Sequence, residues 1–353
     1  MGKQVKTPRF YVDMVTFLHA TGQLGWDSTS KGGAELLYMN CANPFLELEA
    51  SEDPQVMFIL GSTSNNPIKT SFPINFCALL NHNLGSDSNV FSITGKGGLD
   101  GTLDVNLYEA TTEILNSVSL SSSNIMYNGT SIFTFREQND YFNYFGLSYL
   151  EDEFDDYTHQ LGSFVVGKYF DCPNSPDLNL TMSRRFDGIK RQRTVGGKTL
   201  ANIYYDGPTE WTMNGPNGTY KYPPFELDTT GDEFNQRVKS GLGRKGLRSW
   251  KLTFSYISES DMWIDHEVSN NIISDGLDPN DDTPSPMLSD NSFNFVWNCT
   301  LGGTLPFIFQ EDNSKTGNNP DRFAICNFRE NSLSVQQVAF NAYSVSMTID
   351  EIA

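Results

Sequence analysis

Only four histidines occur in 353 residues: His19, His82, His159 and His266. A serine or cysteine nucleophile needs a base beside it, held in turn by a third group. None of the four histidines lies in a nucleophile-bearing motif, so the expectation is no catalytic residues and no enzyme. The GxSxG elbow and the GxxxxGK[ST] phosphate loop are both missing. Val195–Thr199 reads VGGKT, but Arg191, Gln192 and Arg193 stand where the phosphate loop would begin, so the segment is expected to be a Gly-Gly β-turn. Five cysteines, Cys41, Cys77, Cys172, Cys299 and Cys326, form no CxxC pair and are odd in number. They are expected to be reduced and mostly buried. No run of ~18 apolar residues is present, which argues against a spanning helix and a membrane partner. The opening MGKQVKTPRF lacks the apolar stretch of a secretory signal, and Lys6 stands where an acylation signal requires Ser or Thr. On that reading the Asn-X-Ser/Thr matches at Asn128, Asn179, Asn217 and Asn298 are chance. Positive charge is also sparse, with 24 Lys and Arg against 43 Asp and Glu, giving a formal net charge of −19. Such a surface repels phosphates, so sequence-specific nucleic-acid binding is not expected.

Aromatic residues are what the chain has in quantity, at 13% with 25 Phe. They provide large side chains for a core. Short apolar or alternating runs are separated by Gly, Asn, Pro and Ser clusters, the pattern of an all-β sandwich or barrel. Strands are predicted at 56–62, 75–85, 90–98, 131–137, 144–150, 162–170, 199–207, 249–258, 292–300, 305–310, 322–328 and 342–352. In SWKLTFSYIS, Trp250, Leu252, Phe254 and Tyr256 are expected on one face and Lys251, Thr253 and Ser255 on the other. Short helices are predicted near 231–238 and 261–268. A chain this long suggests two domains. The expected division is an N-terminal arm over 1–30, a first domain over 31–183 and a second over 184–353, because CPNSP ends a strand and a basic run follows.

Two sets of motifs carry a resemblance. FCALLNHNLG (76–85) and LGSFVVGKYFDCPNSPDL (161–178) resemble the galactose-binding-like jelly roll of many phage structural proteins. RRFDGIKRQRTVGGKTL, RSWKLTFSYIS, NSFNFVWNCTLGGTLPFIFQ and YSVSMTIDEI resemble the tail-tube-type β domains of tailed phages, including distal tail and baseplate proteins. The resemblance covers about residues 30–353. It implies an all-β chain, an N-terminal jelly-roll β-sandwich followed by a tail-tube-like β-barrel or sandwich domain. It further implies a structural virion protein, assembled in the host cytoplasm, that forms a homo-oligomeric ring in the phage tail and docks other tail or fibre proteins.

Three surface features invite chemistry. EDEFDDY (151–157) and the run with Asp275, Asp278, Asn280, Asp281 and Asp282 are oxygen-rich loops. A solvated acidic turn is the plain reading and Ca²⁺ binding the alternative; neither fits EF-hand spacing, and no metal or cofactor is assigned. Tyr141, Tyr144, Tyr149 and Tyr157 could serve a carbohydrate-binding module that contacts a host surface glycan, the alternative function, although Tyr at alternating spacing suits a core or interface equally. Arg184, Arg185, Lys190, Arg191, Arg193 and Lys198 gather six of the 24 positive charges in one stretch. That stretch can be a nucleic-acid patch, a solvated strand face or a subunit contact. Stacking aromatics are missing apart from Phe186, against the first. In a ring of identical acidic copies, one basic face per copy makes a head-to-tail contact with carboxylates of the neighbour. Arg184, Arg185, Lys190, Arg191 and Arg193 are therefore the expected subunit interface.

Overall fold

The computed structural model describes residues 5–22, 25–26, 37–39, 46–48, 60–61, 74–80, 102–109, 112–113, 125–127, 130–138, 144–150, 159–185, 189–203, 247–264, 291–314 and 322–352. In chain order the elements are β1 (Arg9–Asp13), α1 (Met14–Ala20), β2 (Gly25–Trp26), β3 (Leu46–Leu48), β4 (Leu60–Gly61), β5 (Ile74–Leu80), β6 (Thr102–Glu109), β7 (Thr112–Glu113), β8 (Ile125–Tyr127), β9 (Thr130–Gln138), β10 (Tyr144–Leu150) and β11 (His159–Leu161). They continue with β12 (Ser163–Asp171), β13 (Thr181–Arg185), β14 (Ile189–Arg193), β15 (Thr199–Ile203), β16 (Leu247–Ile257), α2 (Glu259–Met262), α3 (Phe293–Cys299), β17 (Phe307–Gln310), β18 (Phe323–Phe328), β19 (Ser334–Ala339) and β20 (Ala342–Glu351). The chain is mostly β, as its alternating runs predict. Of the predicted elements, those at 90–98 and 231–238 lie outside the described residues.

An 11-stranded antiparallel sheet organises the molecule, in the order β13-β16-β20-β18-β17-β1-β12-β5-β9-β8, with β19 also paired to β20. β1, from the expected arm, is a central strand. It pairs with β12 on one side, Phe10 opposite Phe170, and with β17 on the other, Phe10 opposite Phe309. Hydrogen-bonded ladders thus cross the expected division at 183/184. β1 is only five residues long, too short for its alternation to stand out; its pairing on both sides gives it its place.

The centre of the sheet is buried on both faces. Phe10 and Val12 face one cluster with Leu79, Phe164, Val166, Phe307 and Phe309, beneath residues of α1 and α3. Tyr11 faces the other with Phe76, Val165, Ile308 and Ile325. Strands buried on both faces read as near-continuous apolar runs, as INFCALL in β5 does, broken only by Asn75, whose Oδ1 accepts from Tyr169 N. Aromatic rings link the strands across the first face. Trp250 meets Phe309 at 5.2 Å, Phe309 meets Phe10 at 5.3 Å, Phe10 meets Phe307 at 5.5 Å and Phe307 meets Phe328 at 4.7 Å. Tilted pairs at these separations each contribute roughly 1 kcal/mol beyond area burial.

Gly167 in β12 is required by close approach. A Cβ there would stand 2.0 Å from the Val12 carbonyl oxygen and 2.8 Å from the Met14 nitrogen, where β1 turns into α1. Asp13 caps that helix, its side chain accepting from the Thr16 N–H.

Three sequence expectations are corrected. SFNFVWNCT, predicted as a strand, is the helix α3. Ser292 Oγ accepts from Phe295 N at 3.2 Å as the N-cap, and Phe293, Val296 and Phe295, Cys299 recur at helical spacing on the buried side. Leu301, Gly302 and Gly303, all at positive φ, stop it. The helix predicted from Asp261 begins earlier, at Glu259, capped by Ser258 and ending at Met262. Tyr256 does not join Trp250, Leu252 and Phe254 inside. The β16–β20 register shifts between Phe254 and Ile257, a β-bulge that puts Tyr256 at φ 60° and turns it outward while Ile257 points in.

Candidate functional site

The expected interface residues fall on two structures. Arg184 and Arg185 end β13, the edge strand of the large sheet, where Arg184 pairs with Arg248 and Arg185 with Leu247. Both are exposed. The charge of Arg185 also acts on Asp350. Burial of Asp350 opposes its ionisation, but hydrogen bonds from Arg329 and Ser249, then the charges of Arg329 and Arg185, outweigh it and hold the carboxyl below its usual range. Lys190, Arg191 and Arg193 lie in β14, paired with β15 in a separate two-stranded sheet, Arg191 opposite Ala201 and Arg193 opposite Thr199. The structure therefore divides the basic run between a sheet edge and a hairpin.

The hairpin's turn is the Gly-Gly turn expected from VGGKT. Thr194 N donates to Lys198 O at 2.8 Å, and Gly197 N to Thr194 O at 2.9 Å. Gly197 sits at φ +81°, a conformation that glycine adopts without strain. Successive side chains of a strand point to opposite faces, so a hairpin packed on its own protein shows one buried set. Here Arg191, Gln192 and Arg193 are all exposed, as are Lys198, Thr199, Leu200 and Ala201 across from them and Val195 at the tip. Over residues 191–201 both faces are open, and Arg191, Arg193 and Lys198 make no ion pair among the described residues.

The sequence reading missed a second charged assembly, inside the molecule. Arg248 binds Glu351 through Nε to Oε2 at 2.9 Å and Nη2 to Oε1 at 2.7 Å, and it also donates to the Phe323 carbonyl. Its guanidinium lies 5.1 Å from the Trp250 ring. Burial alone would lower the Arg248 pKa; the hydrogen bond and charge of Glu351 outweigh it and keep the group ionised. Trp250 Nε1 donates to Glu311 Oε1 at 2.9 Å. Beside it Lys6 Nζ stands 3.2 Å and Arg322 Nη1 3.8 Å from Asp312 Oδ2. Arg248, Glu311 and Asp312 are buried. The assembly ties Lys6, Arg248 and Glu351, from the start, middle and end of the chain, into one packed group of charges, in which Glu311 Oε2 and Asp312 Oδ2 are buried without a hydrogen bond. Two signals in the sequence point to it: the alternation of β16, which puts Arg248 on the side of Trp250, and the acidic end of β20.

Arg9 makes a comparable clamp at the rim of β1, with Nε 2.7 Å and Nη2 2.8 Å from the two Asp171 oxygens and the guanidinium 3.8 Å over the Tyr169 ring. The four described cysteines, Cys77, Cys172, Cys299 and Cys326, are buried and unbridged, as expected, and burial pushes their thiols up. That leaves them poor nucleophiles. Among the described residues no group of three or more His, Cys, Asp or Glu could hold a metal, and no helix is long and apolar enough to cross a membrane. The acidic loops at 151–157 and 275–282, and Tyr141 and Tyr157, lie outside the described residues. Tyr144 and Tyr149 lie in β10, opposite Tyr108 and Leu103 of β6.

No protein-family model, no curated protein and no solved structure matches this chain.

Proposed function

We propose that this chain is a structural protein that assembles from copies of itself through the β14–β15 hairpin. The observation that carries the reading is a hairpin exposed on both faces, bearing Arg191, Arg193 and Lys198, on a chain of net charge −19. A two-stranded hairpin alone is marginal in water, so seating on a neighbour supplies the burial it lacks. The surface it meets on any copy is on average strongly acidic, and exposed Arg forks match carboxylates well. One basic projection per acidic copy makes a heterologous contact, which closes into a ring when the rotation between copies allows.

The motif resemblance directs this reading to the virion of a tailed phage, as a non-enzymatic ring component of the distal tail or baseplate that docks adjacent tail or fibre proteins. On the same resemblance, the first half is a jelly roll and the second a tail-tube-like domain. The large antiparallel sheet supports the all-β class on which both depend.

Native mass spectrometry of the purified chain at low salt tests the proposal. A discrete oligomer is expected, shrinking as salt is raised because contacts between exposed charges are screened. The double variant Arg191→Glu/Arg193→Glu should be monomeric under the same conditions. An oligomer of unchanged size and salt response in that variant overturns the proposal.

A further inference from the structure

The self-association reading leaves open where the hairpin docks, and a second unpartnered surface answers it. Three large apolar side chains stand in solvent near one end of β16. Tyr256 is 74% exposed, while Leu178 and Phe340 are each 97% exposed. Separate hydrogen bonds gather them. Asp177, next to Leu178, donates its N–H to the Thr253 carbonyl at 2.8 Å and accepts from Ser255 Oγ at 2.8 Å. Asn341, next to Phe340, accepts at Oδ1 from the Glu259 N–H at 3.1 Å. Tyr256 lies between Ser255 and Glu259 in the chain and is turned outward by the bulge. Carboxylates of Asp177, Glu259 and Asp261 accompany these apolar groups.

The hairpin is rooted at the other end of the same strand. Arg185 pairs with Leu247, the first residue of β16, and β14 begins four residues later, within about 14 Å of chain. β16 has 11 residues, about 36 Å of strand. One end therefore bears the root of a basic hairpin with apolar Val195 and Leu200 exposed on it. The opposite end bears an apolar patch edged by carboxylates. The two are complementary in charge and both leave apolar surface in water.

We propose, building on the self-association reading, that the β14–β15 hairpin of one copy docks on the Leu178–Tyr256–Phe340 patch of a second copy. Val195 and Leu200 cover the apolar groups, and Arg191 and Arg193 meet Glu259 and its neighbouring carboxylates. Burial supplies affinity at the centre, and the charges fix the register and speed encounter. The contact is directional, from the Leu247 end of β16 in one copy to the Ile257 end in the next.

Charge exchange between full-length variants tests this directly. Glu259 serves the fold through its backbone, its N–H donating to Asn341 Oδ1 and its carbonyl accepting from Trp263 N, so Glu259→Arg leaves both bonds possible. Glu259→Arg alone and Arg191→Glu/Arg193→Glu alone should each associate at least about tenfold more weakly than the wild type, the scale of losing an interface anchor. Mixing the two variants should restore association, because each then presents a surface of sign opposite to the other's. Tyr256→Ser/Phe340→Ser should weaken association at low and high salt alike, with the far-ultraviolet circular dichroism and melting temperature of the wild type. If the hairpin variant dissociates while Glu259→Arg and the serine variant assemble as the wild type does, the hairpin docks elsewhere and this inference falls, with self-association intact. If the hairpin variant also assembles normally, both readings fall.

Discussion

Asp13 provides a stringent check on the packing around β1. Its carboxyl caps α1, with Oδ1 3.0 Å from Thr16 N and Oδ2 2.5 Å from Thr16 Oγ1, and it is buried. Burial pushes its pKa from 3.8 up to about 7, against the opposing effect of the Thr16 hydrogen bonds. A raised folded-state pKa means that the native protein binds this proton more tightly than the unfolded chain. Stability is therefore undiminished by this group below about pH 4 and is lost as pH rises through about 7. At about 1.4 kcal/mol for each tenfold change in proton affinity, the loss amounts to about 4 kcal/mol at pH 8. Asn caps a helix about as well as Asp and carries no charge. Asp13→Asn should hence match the wild type near pH 4 and exceed it by about 4 kcal/mol at pH 8 in urea unfolding. Taking the difference between the two proteins at each pH cancels the titration of every other group. A difference that does not change between pH 4 and pH 8 would refute the reasoning and mean that water or a cation reaches the carboxyl.

The interior ion pair and the β1–β12 contact give two further predictions. Glu351→Ala strands the Arg248 guanidinium in the core and should cost about 3–5 kcal/mol in urea unfolding, whereas Arg248→Met/Glu351→Leu, which removes both charges, should cost far less. Equal losses in the two variants would show that the pair contributes more than mutual neutralisation. Gly167→Ala drives a methyl group into the Val12 carbonyl and should lower stability by about 3 kcal/mol, seen as a lower melting temperature and loss of amide protection along β1. Protection at the wild-type level would count against the close approach.

Much of the sheet is legible in the amino-acid order, because a strand's alternation is a local property. The apolar run FVV of β12, the Trp250–Leu252–Phe254 stripe of β16 and the closing strand Ala342–Glu351 are readable without any knowledge of neighbours. The density of positive charge at 184–198 is equally plain. Its division is not. Arg185 joins the Asp350 network while Arg191 and Arg193 stand on a hairpin open on both faces; equal charges in one sequence run acquire different surroundings only when strands pair.

Composition and periodicity determined the all-β class, the acidic surface and the buried state of the four described cysteines, since each follows from the side chains or from residues a few positions apart. Tertiary structure decided the rest. It made five residues of an apparent arm the middle strand of an 11-stranded sheet, turned an aromatic run into a capped helix and ejected Tyr256 through a bulge. It also brought Lys6, Arg248 and Glu351 into one network. Each of these depends on partners distant in the chain, whose burial and hydrogen bonds outweigh local preference once the sheet closes around them.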